Sequence, residues 1–66
     1  MQIQVNGEPF DAGKCATLGE LVNQLGLAGK RIAIELNMEI VPRSEHESTP
    51  LKEGDSVEVV HAIGGG

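Results

Sequence analysis

Residues 1–6 alternate between apolar and polar, with Met1, Ile3 and Val5 on one side and Gln2, Gln4 and Asn6 on the other. A period of two predicts a half-buried strand. Asn6-Gly7 supplies the φ > 0 pair that a two-residue type I′ turn requires, so residues 8–11 are expected to return as a second strand. Pro9 has no N–H for a ladder and puts that strand at a sheet edge, while Phe10, the single aromatic residue, is assigned to the core. The period then changes. Thr17-Leu18-Gly19-Glu20 has the form of a capping box, in which Thr17 accepts from the Glu20 N–H and Glu20 reaches back to the N–H of Thr17. Leu18, Leu21, Val22 and Leu25 follow at i, i+3, i+4 and i+7, one face of a helix about two turns long, and Gly26 provides an αL stop. Gly19 weakens the first turn by about 1 kcal/mol relative to Ala, so docking of the leucine stripe has to hold the helix.

Alternation resumes over residues 31–37, with Ile32, Ile34 and Leu36 opposite Ala33 and Glu35. Asn37-Met38-Glu39 reads as a turn and Ile40-Val41 as a short fourth strand that Pro42 ends or places at an edge, with the charge of Arg43 exposed. Ser44 is expected to cap a single helical or 3₁₀ turn over residues 44–47, and His46 to be a solvated loop residue. After a turn at Glu53-Gly54-Asp55, residues 56–63 form the last strand, with Val57, Val59, His61 and Ile63 on one face and Glu58, Val60 and Ala62 on the other. Apolar residues on both faces predict a central strand, or one whose outer face meets a partner. His61 marks the point where the buried row gives way to solvent or to a docking surface. No second His, Cys or carboxylate lies near it in sequence to orient it for catalysis.

Two strands, a helix and three more strands make an α+β domain in which one helix packs across one face of a mixed sheet of four to five strands. Placing the last strand between the first and third satisfies its two-sided pattern, and that arrangement is a β-grasp. We assign residues 1–63 to this domain and 64–66 to a C-terminal glycine tail.

Sixty-six residues bound the possibilities further. A chain of this size buries only about 60% of the surface its unfolded form exposes, so stability is expected to be modest. Cys15 is the single cysteine, which rules out an internal disulfide or a four-thiolate metal site. We read it as an incidental small residue near the helix start. Ten acidic against five basic residues argue against backbone-driven nucleic-acid binding. The acidic surface either fits a partner with a basic docking groove or serves solubility. No apolar run is long enough to span a bilayer and no signal peptide opens the chain, so a cytoplasmic location without membrane association is expected.

The remaining chemistry is at the end of the chain. Gly64, Gly65 and Gly66 abut the last strand with no polar spacer. Three glycines lose too much entropy on ordering to hold a strand, so this tail is expected to be mobile and able to enter a narrow tunnel. From Ala62 to Gly66 it reaches roughly 17 Å when extended. Its reactive group is the α-carboxylate of Gly66, ionised and a poor electrophile at neutral pH, so chemistry there needs activation by another protein. The chain is then a substrate of partner enzymes, not a catalyst.

Taken with these features, Glu35-Leu36-Asn37-Met38-Glu39-Ile40-Val41-Pro42-Arg43, the run Leu51 to Val60 containing Gly54-Asp55-Ser56-Val57, and the terminal Gly-Gly resemble the ubiquitin-like, ThiS-type sulfur carriers of thiamine (thiazole) biosynthesis over essentially the whole chain. The resemblance implies that an adenylyltransferase similar to ubiquitin-activating enzymes uses ATP and Mg²⁺ to adenylate Gly66. Sulfur from a cysteine desulfurase then replaces AMP to give a thiocarboxylate, which thiazole synthase consumes. It implies no metal or cofactor on the carrier itself. Gly65 and Gly66 match the family's terminal pair, Gly64 extends it, and Val60, Ala62 and Ile63 are candidates for a docking patch by position. Three other readings stay open: a molybdopterin-synthase sulfur carrier, a ubiquitin-like protein modifier that acylates lysines, and a β-grasp binding module with an inert tail.

Overall fold

A computed structural model describes residues 1–61; the expectations placed on Ala62, Ile63, Gly64, Gly65 and Gly66, including the boundary between domain and tail, lie outside the described residues. Along the chain come β1 (Gln2–Val5), β2 (Glu8–Asp11), α1 (Leu18–Gln24), β3 (Ile32–Leu36), β4 (Glu39–Val41), a 3₁₀ helix (Arg43–Ser48) and β5 (Ser56–His61). The sheet order is β2-β1-β5-β3-β4. β5 therefore lies at the centre, parallel to β1 and antiparallel to β3, with Val57 beside both Val5 and Leu36. This is the β-grasp that the two-sided pattern of β5 predicts.

One face of the sheet and the leucine stripe of α1 form the core. Leu18, Leu21, Ile34 and Val57 are fully enclosed there, with Ile3, Val22 and Leu51 around them and Phe10, Leu25 and Leu27 packed at the margin. Truncating one of the enclosed side chains to Ala costs on the order of 2–5 kcal/mol, a large share of what so small a domain has. Along β5 the inward row opens step by step: Val57 is buried, Val59 half-buried and His61 exposed.

Helix α1 is short, and both ends are closed by bonds of its own. Thr17 accepts from the Glu20 N–H at 3.2 Å. The reciprocal bond differs from the expected one: the Glu20 carboxylate takes the N–H of Ala16, at 2.7 Å, instead of that of Thr17. The chain entering the helix is held extended beside residues 49–51 through Leu18 N–H to Thr49 O and Leu51 N–H to Ala16 O, and this brings Ala16 within reach. At the other end Gly26, at φ 75°, donates to Asn23 O while Leu27 donates to Val22 O, a Schellman closure.

Three expectations need correction around the 3₁₀ helix. Gly19 is more than a weak point of α1, because a Cβ there would lie 3.1 Å from the Glu47 Cα. Its absence lets the 3₁₀ helix close against α1. That contact buries His46, which is 6% exposed rather than solvated, with its Nε2 3.0 Å from the Val41 carbonyl oxygen. Ser44 caps nothing: the turn starts one residue earlier behind Pro42, whose fixed φ of −60° sets the entry, and no side chain caps that end. Thr49 and Ser48 instead bond the Glu45 carbonyl at the exit.

Candidate functional site

β5 is the element that leads to the terminal glycines. It is paired on both flanks near its start and with β3 through to its end, where His61 faces Ile32 and Val60 faces Ala33. A strand held in this way gives the residues beyond His61 a fixed point of departure. Alternation turns Glu58 and Val60 to the outer face, opposite the helix. Val60 is 56% exposed and Ala33 beside it is also exposed, so a small apolar step crosses β5 and β3 at the end where the tail begins. Next to it on the same face, Ile40, Glu35 and Glu58 form a second row across three strands.

Of the residues singled out from the sequence, Val60 is exposed on this outer face, whereas Ala62, Ile63, Gly64, Gly65 and Gly66 lie outside the described residues. His61 is exposed beside Ile32 at the sheet margin. Cys15 is buried, and its thiol donates to Gln24 Oε1 at 3.0 Å. It packs as a small core residue and has no part in this surface. Alternation places Ala33 on this face, and the β3–β5 register sets it beside Val60. The sequence marks Met38 and Ile40 only as turn and strand residues.

On the opposite side of the sheet a cleft of about 190 Å³ opens between α1, the start of β3 and the 3₁₀ helix, lined by Val22, Leu27, Ile32, Arg43 and His46 among others. The Arg43 guanidinium donates to the Lys30 carbonyl across its mouth. Among the described residues no three or more His, Cys, Asp or Glu side chains group to hold a metal ion, and no helix is long and apolar enough to cross a membrane. The Asp11 carboxyl is held low first by the Gly13 N–H and then by the terminal ammonium of Met1, far from the end of β5. The described residues thus hold an ordered platform at the end of β5 with an exposed apolar step beside it.

This architecture defines a ubiquitin-like β-grasp domain that leads by its central strand to a glycine-ended terminus. The ThiS family model matches residues 3–66, and the chain belongs to that family. It is 40% identical to the sulfur carrier protein ThiS of Thermus thermophilus over 65 residues, which is 97% of this chain and 98% of the relative. It is 44% identical over its full length to a thiazole synthase of Magnetococcus marinus, of which it spans only 20%. The crystal structure of the thiamine biosynthesis protein ThiS from Geobacter metallireducens superposes with a TM-score of 0.85 at 33% identity, covering both chains completely.

Proposed function

We propose that this chain is a sulfur carrier of thiamine biosynthesis, with the α-carboxylate of Gly66 as the atom group that carries the sulfur. The observation that bears the most weight is the central position of β5. β5 is held on both flanks at its start and by β3 to His61, and the sequence Ala62-Ile63-Gly64-Gly65-Gly66 follows it, in a chain that aligns nearly end to end with a sulfur carrier.

In this reading a Gly66 carboxylate oxygen attacks the α-phosphorus of ATP on a partner adenylyltransferase and pyrophosphate leaves. The terminal sulfur of a persulfide originating from a cysteine desulfurase then attacks the acyl-adenylate and displaces AMP to give an acyl persulfide. A second thiol, supplied by the partner enzymes, attacks the inner sulfur and departs with it as a disulfide. This thiol is thereby oxidised, the C–S sulfur is reduced to a thiocarboxylate, and one C–O bond of the carboxylate has been exchanged for C–S. Adenylation supplies the leaving group that the free carboxylate lacks, and tethering keeps the sulfur nucleophile from diffusing away as sulfide. Mg²⁺ and ATP belong to the adenylating enzyme. This chain contributes its terminal glycines, which have no Cβ to obstruct a narrow channel, and Val60, Ala62 and Ile63 are the docking candidates.

Thiazole synthase is the expected acceptor. Matches to thiazole synthases of Magnetococcus marinus and Paramagnetospirillum magneticum over a fifth of their length support this, since in them a segment like this chain shares one polypeptide with the rest of the synthase. The test is reconstitution with ATP, adenylyltransferase, desulfurase, cysteine and thiazole synthase. Removing Gly65 and Gly66 is expected to abolish thiazole formation while the circular dichroism spectrum and melting point stay unchanged. Full activity of the truncated chain would overturn the proposal.

A further inference from the structure

The β3–β4 hairpin departs from the rules that the β1–β2 hairpin of the same chain obeys. Their sequences run in parallel: Val5-Asn6-Gly7-Glu8-Pro9 and Leu36-Asn37-Met38-Glu39-Ile40. Both use a two-residue turn with positive φ at each central position, 53° and 82° in the first, 52° and 73° in the second. The second central position, which favours glycine, holds Gly7 in one hairpin and Met38 in the other. Met38 gains no burial in return, being 89% exposed.

The edges differ in the same sense. The N–H groups of Gln4 and Asn6 point to β5, so Val5 exchanges bonds with Glu8, and the next residue, Pro9, faces outward along the β2 edge without a donor. Asn37 likewise donates to Ser56 on β5, so Leu36 pairs with Glu39, and the residue equivalent to Pro9 is Ile40. Its N–H and C=O face outward from the open β4 edge, and its side chain is 72% exposed. An open edge beside exposed apolar side chains is a template for another strand.

The surrounding charge selects the kind of strand. Residues 33–41 and 56–61 contain Glu35, Glu39 and Glu58 and no Lys or Arg, in a chain of net charge −5. A second copy would bring like charges together; a cationic segment would not. We propose that the β4 edge, with Met38 and Ile40, docks an extended segment of thiazole synthase that presents apolar side chains flanked by Lys or Arg. This rests on the sulfur-carrier reading above. The site is distinct from the tail: Met38 lies beyond the Leu36 end of β3, while His61 faces Ile32 at the other end, roughly 13 Å from Leu36 along the strand. One synthase subunit would then hold the carrier at two points while the tail enters it.

The experiment is titration of thiazole synthase from the same organism with the wild-type chain and with Met38→Gly, which copies Gly7, and Ile40→Pro, which copies Pro9. Each variant is expected to bind about tenfold more weakly, and Glu39→Lys several-fold more weakly, with circular dichroism and melting point showing that all remain folded. Ile40→Thr keeps the edge donor and the branched shape, and is expected to fall between wild type and Ile40→Pro. Equal binding by the wild type, Met38→Gly and Ile40→Pro overturns the hairpin proposal and leaves the carrier reading intact. Absence of wild-type binding overturns both. A concentration-dependent dimer of the chain alone, dissolved by Ile40→Pro, would assign the edge to a second copy and overturn the proposal.

Discussion

The two hairpins occupy opposite edges of one sheet and have the same turn length and turn conformation, yet they solve the turn in different ways. In the first, Gly7 takes the left-handed position and Pro9 silences the edge. In the second, the chain puts Met38 in the strained position and recovers stability nearby. Asn37 donates from Nδ2 to Asp55 Oδ1 at 3.1 Å and accepts at Oδ1 from the Ser56 N–H at 3.0 Å, and Asp55, 7% exposed, also takes the Lys52 N–H. Asn6 makes one such bond, accepting from Val59 N–H at 2.7 Å. A local rule broken at the surface and compensated next door is the pattern of a site kept for something other than folding.

Removing the compensation should have the largest effect. Asn37→Ala is expected to cost about 2–3 kcal/mol in urea unfolding, because it deletes two bonds and leaves a buried carboxylate short of a donor. Asn6→Ala is expected to cost about 1 kcal/mol. Equal losses, or the reverse order, would break the comparison.

Exchanging the turn residues comes next. Gly7→Met should destabilise by about 1 kcal/mol through backbone strain alone, since a Cβ at Gly7 meets nothing within 4 Å. Met38→Gly should stabilise by about 0.5 kcal/mol, the relief of strain being partly offset by the entropy of a freer unfolded chain. A loss on Met38→Gly would mean that Met38 serves the fold after all.

The smallest effect belongs to the end of the first hairpin. Asp11 has its carboxyl held below the ordinary 3.8 by the Gly13 N–H and then by the Met1 ammonium. A depressed folded value contributes stability that is present above the unfolded value and is lost as pH falls through the folded one. Thermal melts of Asp11→Asn should therefore lose slightly less stability than wild type as the pH is lowered from 4 toward 2. An identical slope would show that the hydrogen bond from Gly13 and the Met1 ammonium together leave the pH dependence of stability unchanged.

Most of the fold was legible because it depends on short-range periodicity. The alternation of β1 and β3, the stripe of α1 and the two-sided apolar pattern of β5 dictate the sheet order between them. His46 was misread because its burial comes from a tertiary approach, the 3₁₀ helix closing on Gly19, and the sequence around His46 carries no mark of it. Gly19 itself was read as a propensity defect, since only the packed structure shows what a Cβ there would strike. On the outer face, Val60 was visible from alternation, while the departures at Met38 and Ile40 emerge only when the two hairpins are set in register.

The central claim concerns Gly66, and fragment mass spectrometry tests it most directly. The chain is incubated with ATP, a thiamine-pathway adenylyltransferase, a cysteine desulfurase and cysteine, then fragmented so that an exchange of oxygen for sulfur is separated from oxidation of Met1, Met38 or Cys15, which has nearly the same mass. The account predicts the shift on the fragment containing Gly66, dependent on ATP. A Gly66 fragment that remains a plain carboxylate or stops at the adenylate, with every partner active on a control carrier, would contradict it.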